Sequence, residues 1–405
     1  MKKKKLSSGQ VGVRVILSII FVIFLQVAFI DNPDFWELFD QDSLVLYILS
    51  GITSLNTGSN YLELKLKLSQ DKSLYMTALH LGSNKDEVNL LVDTGSADTL
   101  VISHDAKCYI DRNLYSAFDT CFEMGTYDVT RSTTASEPMQ PFHARFFGGH
   151  FSSGTVIKDE VHLSDNKSID AFEFGIVNTT TATNGILGIS RTIQSHVGHA
   201  HSNFPIALKK SGIIDKIAYS IFLNSSDSEG NILFNGIDRA KYYGDITFLP
   251  FASDRFMSVK LSSLDFGNGN SMQVNQPFMV DSGTTFINID NLNIFNKILA
   301  NFEGIKRKGV YYIDCNQPAD KFFTFNFRGV SIKVPYTDLV THGVDTSTGK
   351  VDPDKCLLAI TSNPTTLILG ANFMRHAYLA FDLERRRLGL AQARFTAESD
   401  IVSFP

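Results

Sequence analysis

The chain has 405 residues, enough for two or three lobes of ordinary domain size, and 43% hydrophobic with 20% charged residues excludes a disordered chain. A net charge of only −5 argues against a general nucleic-acid binder. Short Thr/Ser/Val/Ile/Phe runs broken by Gly, Asn and Asp predict a mostly β protein with many turns.

In chain order, "MKKKK" and Arg14 precede the uncharged apolar run 15–30, "VILSIIFVIFLQVAFI". Charge followed by such a run predicts a secretory signal peptide over 1–30. An uncleaved signal anchor is the alternative, although the run falls short of the roughly 20 residues a spanning helix needs. Residues 31–72 read as an N-terminal extension or short pro-segment. It is acidic in "DNPDFWELFDQDS", apolar in "LVLYILSGI" and alternating like a strand in "YLELKLKLS". From about residue 73 strand follows strand. "SLYMTALHLGS" and "EVNLLVDTGS" predict a hairpin turning near Asn84, Lys85 and Asp86. "FPIALKKSGII" has helical spacing and stops at Gly212; "NILFNGIDRAKYYGDITFLPF" reads as strand, turn, strand. Arg385, Arg386 and Arg387 read as a solvated hairpin turn, and the C-terminal "AESDIVSFP" carries no lipid-anchor signal.

A repeat organises this run of strands. "LLVDTGSADTLV" holds Asp93-Thr94-Gly95-Ser96, and "PFMVDSGTTFINI" holds Asp281-Ser282-Gly283-Thr284, 188 positions later. Each is followed by an apolar-apolar-Gly segment, "NGILGIS" at 184–190 and "TTLILGANF" at 365–373. The pattern predicts two related lobes, 73–250 and 251–392, each contributing one acid, and a tail over 393–405.

A lone Asp at a strand end is usually a cap or turn residue. Two copies in matched apolar contexts point to a shared task. Glycine permits close approach and a sharp turn. The Thr94 and Ser282 hydroxyls suit a lock between the loops, while Ser96 and Thr284 suit donation to the outer carboxylate oxygens. Two carboxylates about 4 Å apart at an effective dielectric near 20 repel by roughly 4 kcal/mol, about 3 pKa units, so one proton is held between them. Asp93 and Asp281 then offer a base that takes a proton from water and an acid that bonds the attacked carbonyl. The sequence leaves open which is which. No metal and no other cofactor is called for.

Cys108, Cys121, Cys315 and Cys356 are even in number and suit an oxidising compartment. Three connectivities are possible; closeness along the chain favours Cys108–Cys121 and Cys315–Cys356. Asn166, Asn178 and Asn224 stand in N-x-S/T sequons, candidates for glycosylation. His196, His199 and His201 read as a polar surface loop, since no acidic or Cys partner adjoins them. No G-x-S-x-G elbow, Walker loop or H-E-x-x-H occurs.

The chain resembles pepsin-family aspartic proteases, in texture the fungal secreted members such as candidapepsins and yapsins. The resemblance is carried by Asp93-Thr94-Gly95-Ser96, Asp281-Ser282-Gly283-Thr284-Thr285, Ile186-Leu187-Gly188 and Ile368-Leu369-Gly370. "NFPIALKKSGIIDKIAYSIFLN" and "LGANFMRHAYLAFDLERRRLGLA" extend it over about 73–392. It implies an all-β, bilobal fold with a cleft between the lobes. It also implies acid-pH hydrolysis of peptide bonds flanked by apolar side chains, in a peptide or protein bound extended. The enzyme is expected to act as a monomer in the secretory pathway, a vacuole-like compartment or outside the cell, with a membrane involved only if the N-terminal segment stays attached.

Two departures stand out. The position of the family's flap Tyr falls on Phe147, beside Gly148 and Gly149, or one residue earlier on Phe146. The family's Trp, seven residues after the first Asp, is Leu100. Losing both partners of a hydrogen bond leaves no orphan, so an apolar repacking with reduced or narrowed activity is expected. Phe147, Gly148, Gly149, Leu100 and Thr285 are the expected flap and substrate-binding residues. The extension also lacks a dibasic processing site, which puts autoactivation in doubt. A secreted, protease-like protein that binds peptides without cutting them is the alternative reading.

Overall fold

The computed structural model describes residues 61–405, apart from 70–72, 111–112, 115–120, 147–148, 164–166, 196–201, 225–228, 303, 308–309, 345–350 and 363–365. The predicted signal and most of the extension therefore lie outside the described residues. So do Phe147, Gly148, Asn166, His196, His199 and His201. Among the described residues no helix is long and apolar enough to cross a membrane.

The strand Asp86–Asp93 begins with polar residues and ends in four consecutive buried ones. Alternation disappears because the strand is interior. Tyr75–Leu81 pairs antiparallel on one side and Gly185–Gly188 parallel on the other, with Asp93 opposite Gly188. The short Gly185–Gly188 strand also pairs antiparallel with Thr99–Ile110, which in turn runs parallel to Ser168–Thr180. Gly188 has no substitute here: a Cβ would lie 2.4 Å from the Asp98 carbonyl oxygen.

The second half repeats this connectivity. Ser271–Val280 runs parallel to Ile368–Leu369, which is antiparallel to Ile287–Ile289, which is parallel to Ile360–Ser362. Gly370 repeats the crowding, its Cβ direction blocked by the Thr284 and Phe286 carbonyl oxygens at 2.4 Å. The matched apolar-apolar-Gly segments are thus the strands threaded beside each aspartate strand. Asp281 closes the correspondence by donating its N–H to Leu369 O at 3.1 Å.

A continuous sheet joins the halves, running Tyr242–Pro250, Arg387–Ala393, Ala377–Asp382, Ala218–Phe222, Gly230–Phe234, Leu62–Leu68 and on into Tyr75–Leu81. Leu62–Leu68, placed by sequence in the extension, is a full member. It pairs with Gly230–Phe234 and buries Leu62, Leu64 and Leu66. At about 1.5–3 kcal/mol for each fully buried leucine, this strand belongs to the folded body. The 393–405 segment is likewise no free tail. Ile401–Ser403 pairs with Gly236–Asp238, and Phe404 is buried in a side cluster with Tyr378 and Ile237.

Helices are short. Phe204–Lys210 starts at Asn203, whose side chain accepts from Ile206 N–H, and buries Phe204 and Leu208. Leu292–Leu299 is capped in the same way by Asn291. Disulfides join Cys108 to Cys121 and Cys315 to Cys356.

Candidate active site

Both aspartates emerge from buried strand ends into tight loops, and the loops grip each other. Thr94 N–H donates to Ser282 Oγ at 3.0 Å, and Thr94 Oγ1 donates to Val280 O at 2.8 Å. Reciprocally, Ser282 N–H donates to Thr94 Oγ1 at 3.0 Å, and Ser282 Oγ donates to Val92 O at 2.6 Å. Thr94 and Ser282 are essentially inaccessible to solvent. Four buried hydrogen bonds related by a pseudo-twofold thus fix one loop against the other. Each contributes about 0.5–1.5 kcal/mol net, but costs more if one partner is orphaned.

The same symmetry governs the carboxylates. Asp93 Oδ1 accepts from Gly95 N–H at 2.7 Å, and Asp281 Oδ1 from Gly283 N–H at 2.9 Å. The outer oxygens accept from Ser96 Oγ and, at 2.7 Å, from Thr284 Oγ1. Each glycine lies against the other half's acid. A Cβ on Gly95 would sit 2.6 Å from Asp281 Oδ1, and one on Gly283 would sit 2.6 Å from Asp93 Oδ1. The repeated glycines therefore let the two carboxylates meet.

Both acids are buried, at 7% and 4% exposure. Burial pushes the Asp281 carboxyl well above its ordinary value, the neighbouring Asp93 charge pushes it further, and the bonds from Thr284 and Gly283 only partly offset this. Two buried carboxyls this close oppose a second ionisation, so such a pair favours holding one proton in common.

The pair opens into a cleft of about 600 Å³, walled by both halves and by the hairpin of Gln140–Arg145 and Phe151–His162. Leu100 is not among the residues lining this space. It is buried with Phe142 and Ile186 beneath the hairpin, in a cluster on which Phe146 packs. Phe146 also lines the cleft, while Gly149 takes φ 87° in the turn where Phe146 N–H bonds His150 O. Thr285 lines the cleft too and donates to Ser73 O at 3.2 Å. Asn178 is exposed on the strand Ser168–Thr180, whereas the Asn224 side chain donates to Glu229 O at 3.0 Å.

Sequence reasoning missed several residues. Tyr219, fully buried, donates to Ile189 O at 3.0 Å, and Ile189 N–H donates to Asp93 O at 3.0 Å, so Tyr219 braces the strand behind the first acid. Arg145, His150, Arg255 and Phe256 also line the cleft. Arg145 and His150 flank the predicted flap turn, whereas Tyr219, Arg255 and Phe256 carry no local signal because the fold brings them in from elsewhere in the chain.

Two interlocked Asp-(Thr/Ser)-Gly loops at the floor of a cleft between related β lobes define an aspartic peptidase. The family described as "Eukaryotic aspartyl protease" matches residues 74–393. "Secreted aspartic protease 4" of Candida albicans is 35% identical over 344 residues, spanning 84% of this chain and 81% of the relative. "Candidapepsin" of Candida tropicalis is 35% identical over 334 residues, 81% of each. "Secreted aspartic protease 10" of Candida albicans is 32% identical over 374 residues, 86% of this chain and 78% of the relative. The chain belongs to the eukaryotic aspartyl protease family and is an aspartic endopeptidase that binds peptide substrate. Nothing in these likenesses or in the site favours a binding protein that does not cut.

Proposed function

We propose that Asp93 and Asp281 are the catalytic pair, cleaving peptide bonds at acidic pH through a water lying between them. Burial and the neighbouring Asp93 carboxylate raise the Asp281 carboxyl, so the pair holds one proton in common; with that proton on the Asp281 side, Asp93 serves as the base. Asp93 draws a proton from the water as it attacks the peptide carbon. Asp281 donates a hydrogen bond to the carbonyl oxygen as negative charge develops there. The tetrahedral carbon then collapses, the C–N bond breaks, and the proton gained by Asp93 passes to the leaving nitrogen. Thr94, Gly95, Ser96, Ser282, Gly283 and Thr284 hold the pair in plane. Phe146 and the turn around Gly149 cover the substrate.

The observation that carries this reading is the crossed packing, in which each loop glycine leaves room for the opposite carboxylate. The test is digestion of a denatured protein between about pH 3 and 6, the range in which a shared-proton pair stays singly protonated. Cleavage should fall by about 10²–10⁴-fold in Asp281→Asn and be blocked by a statine-type inhibitor. Tight inhibitor binding without any turnover of the parent chain would overturn it.

The signal-like N-terminus and the printed names of the secreted relatives support export, with residues 1–30 removed and the mature chain beginning before Leu62. N-terminal sequencing of the mature form distinguishes this from a retained anchor.

A further inference from the structure

Apart from the two aspartates, the charged and titratable side chains lining the described cleft are basic: Arg145, His150 and Arg255. Arg145 and Arg255 are both exposed. Among the described residues neither makes an ion pair with a carboxylate. Each is nevertheless held. Arg145 Nε donates to His143 Nε2 at 3.3 Å, and the His143 ring stacks on Phe151 at 5.7 Å. The Arg255 guanidinium lies over the Phe256 ring, 5.1 Å from its centroid, and Phe256 is itself a cleft residue.

The one acid beside Arg255 in the chain is already engaged. Asp254 pairs with Arg386, and its backbone oxygen accepts from Arg191 Nη1 at 2.7 Å. Behind Arg255, which lines the cleft, Arg191 and Arg386 therefore share the single carboxylate-bearing residue Asp254. The hairpin brings Arg145 and His150 to the cleft, with His143 behind Arg145. The floor holds Asp93 and Asp281. A peptide cleft made only to accept apolar side chains has no use for two supported guanidinium groups without counter-ions. Guanidinium is also the donor geometry that best matches carboxylate and phosphate.

We propose that Arg145 and Arg255 make this cleft select substrates with an anionic side chain close to the scissile bond. The inference rests on the reading of Asp93 and Asp281 as the catalytic floor of the cleft. The apolar residues on either side of the cleaved bond are still required. The anion adds a charge contact at one flanking position and offsets repulsion between an acidic peptide and the negatively charged aspartate pair.

The experiment uses peptides with one apolar scissile pair, in which Glu, phosphoserine or Gln is moved singly through the flanking positions. At pH 5.5 one position should favour Glu over Gln by about ten-fold in kcat/KM, the scale of a partly enclosed charge-assisted contact. The Glu preference should fade towards pH 3.5, because a free glutamate carboxyl has a pKa of about 4.3. The phosphoserine preference should persist there, since phosphate keeps one charge. Both should weaken as salt is raised. In the double variant Arg145→Gln with Arg255→Gln, the Glu-to-Gln ratio within that variant should fall to near one. Because the readout is a ratio, a general loss of rate does not mimic it. Cleavage of the Gln peptides with no flanking position preferring an anion overturns the proposal, as does a preference that survives the double substitution. Failure to cleave any peptide instead overturns the catalytic reading beneath it.

Discussion

The two halves place their aspartates with the same short apparatus and then surround it very differently. In the first half the strands flanking the Asp93 loop are long: Thr99–Ile110, Phe151–His162 and Ser168–Thr180 have 12, 12 and 13 residues. They carry the hairpin that walls the cleft. In the second half the corresponding strands, Ile287–Ile289 and Ile360–Ser362, have three residues each. There the outer structure is a separate four-stranded sheet that includes Cys356, tied by disulfide to Cys315. Holding a carboxylate needs only a buried parallel pair, one threaded antiparallel strand and a glycine loop. Everything beyond that is free to diverge into cover on one side and support on the other.

The comparison can be broken most directly at the acids. Asp93→Asn and Asp281→Asn should each lower kcat by about 10²–10⁴-fold, since each removes one partner of the proton relay. Folding should be retained by circular dichroism. Substantial activity in either variant would show that the halves do not share the chemistry. Next come the glycines. Gly95→Ala and Gly283→Ala push a methyl into the opposite carboxylate and should cost about 10²-fold in kcat, the scale of a displacement near 1 Å. An effect from only one of them would mean that the crossed packing is not equally tight on both sides.

The lock between the loops gives a stability test. Thr94→Ala and Ser282→Ala each orphan a buried N–H and a buried carbonyl, so each should cost about 2–4 kcal/mol in denaturant unfolding. Near-equal losses are expected, because each hydroxyl makes one donated and one accepted bond across the pseudo-twofold.

The Asp281 carboxyl gives a pH test whose sign is fixed. Its folded-state pKa is raised, whereas an unfolded aspartate titrates near about 3.9. Below about pH 4 the group is protonated in both states. As pH rises, the unfolded chain releases the proton first, so folding stability falls until the pH passes the raised folded value. Asp281→Asn is neutral throughout. It should melt higher than the parent near neutral pH, with the advantage shrinking towards pH 4; an advantage that does not change with pH would mean the acid is not held protonated. The smallest effect is expected at the outer hydroxyls. The Thr284 bond lowers the Asp281 pKa, so Thr284→Ala should move the alkaline limb of the pH–rate profile upward. A shift in the opposite direction would reverse that assignment.

Much of the site was legible in the chain itself. The Asp-(Thr/Ser)-Gly pairs and the Ile-Leu-Gly segments announce themselves because glycine and a buried acid are locally improbable at the end of an apolar strand. The role of Leu62–Leu68 was less legible. Its alternation was plain, but its partner, Gly230–Phe234, lies too far along the chain for any local pattern to name. Leu100 shows the same limit: sequence set it among the substrate-binding residues, and packing turned it into the core beneath the hairpin.

The sequence by itself determined the two acids, their hydroxyl and glycine neighbours, the strand character of most segments and the even set of cysteines. These depend on interactions within a few residues. Only the tertiary structure decided that Gly95 faces Asp281 while Gly283 faces Asp93, that Tyr219 braces the strand behind Asp93, and that Arg145 and Arg255 line one cleft. Those contacts join points up to some two hundred residues apart. They arise when buried strands close into sheets, and no local preference of the chain encodes them.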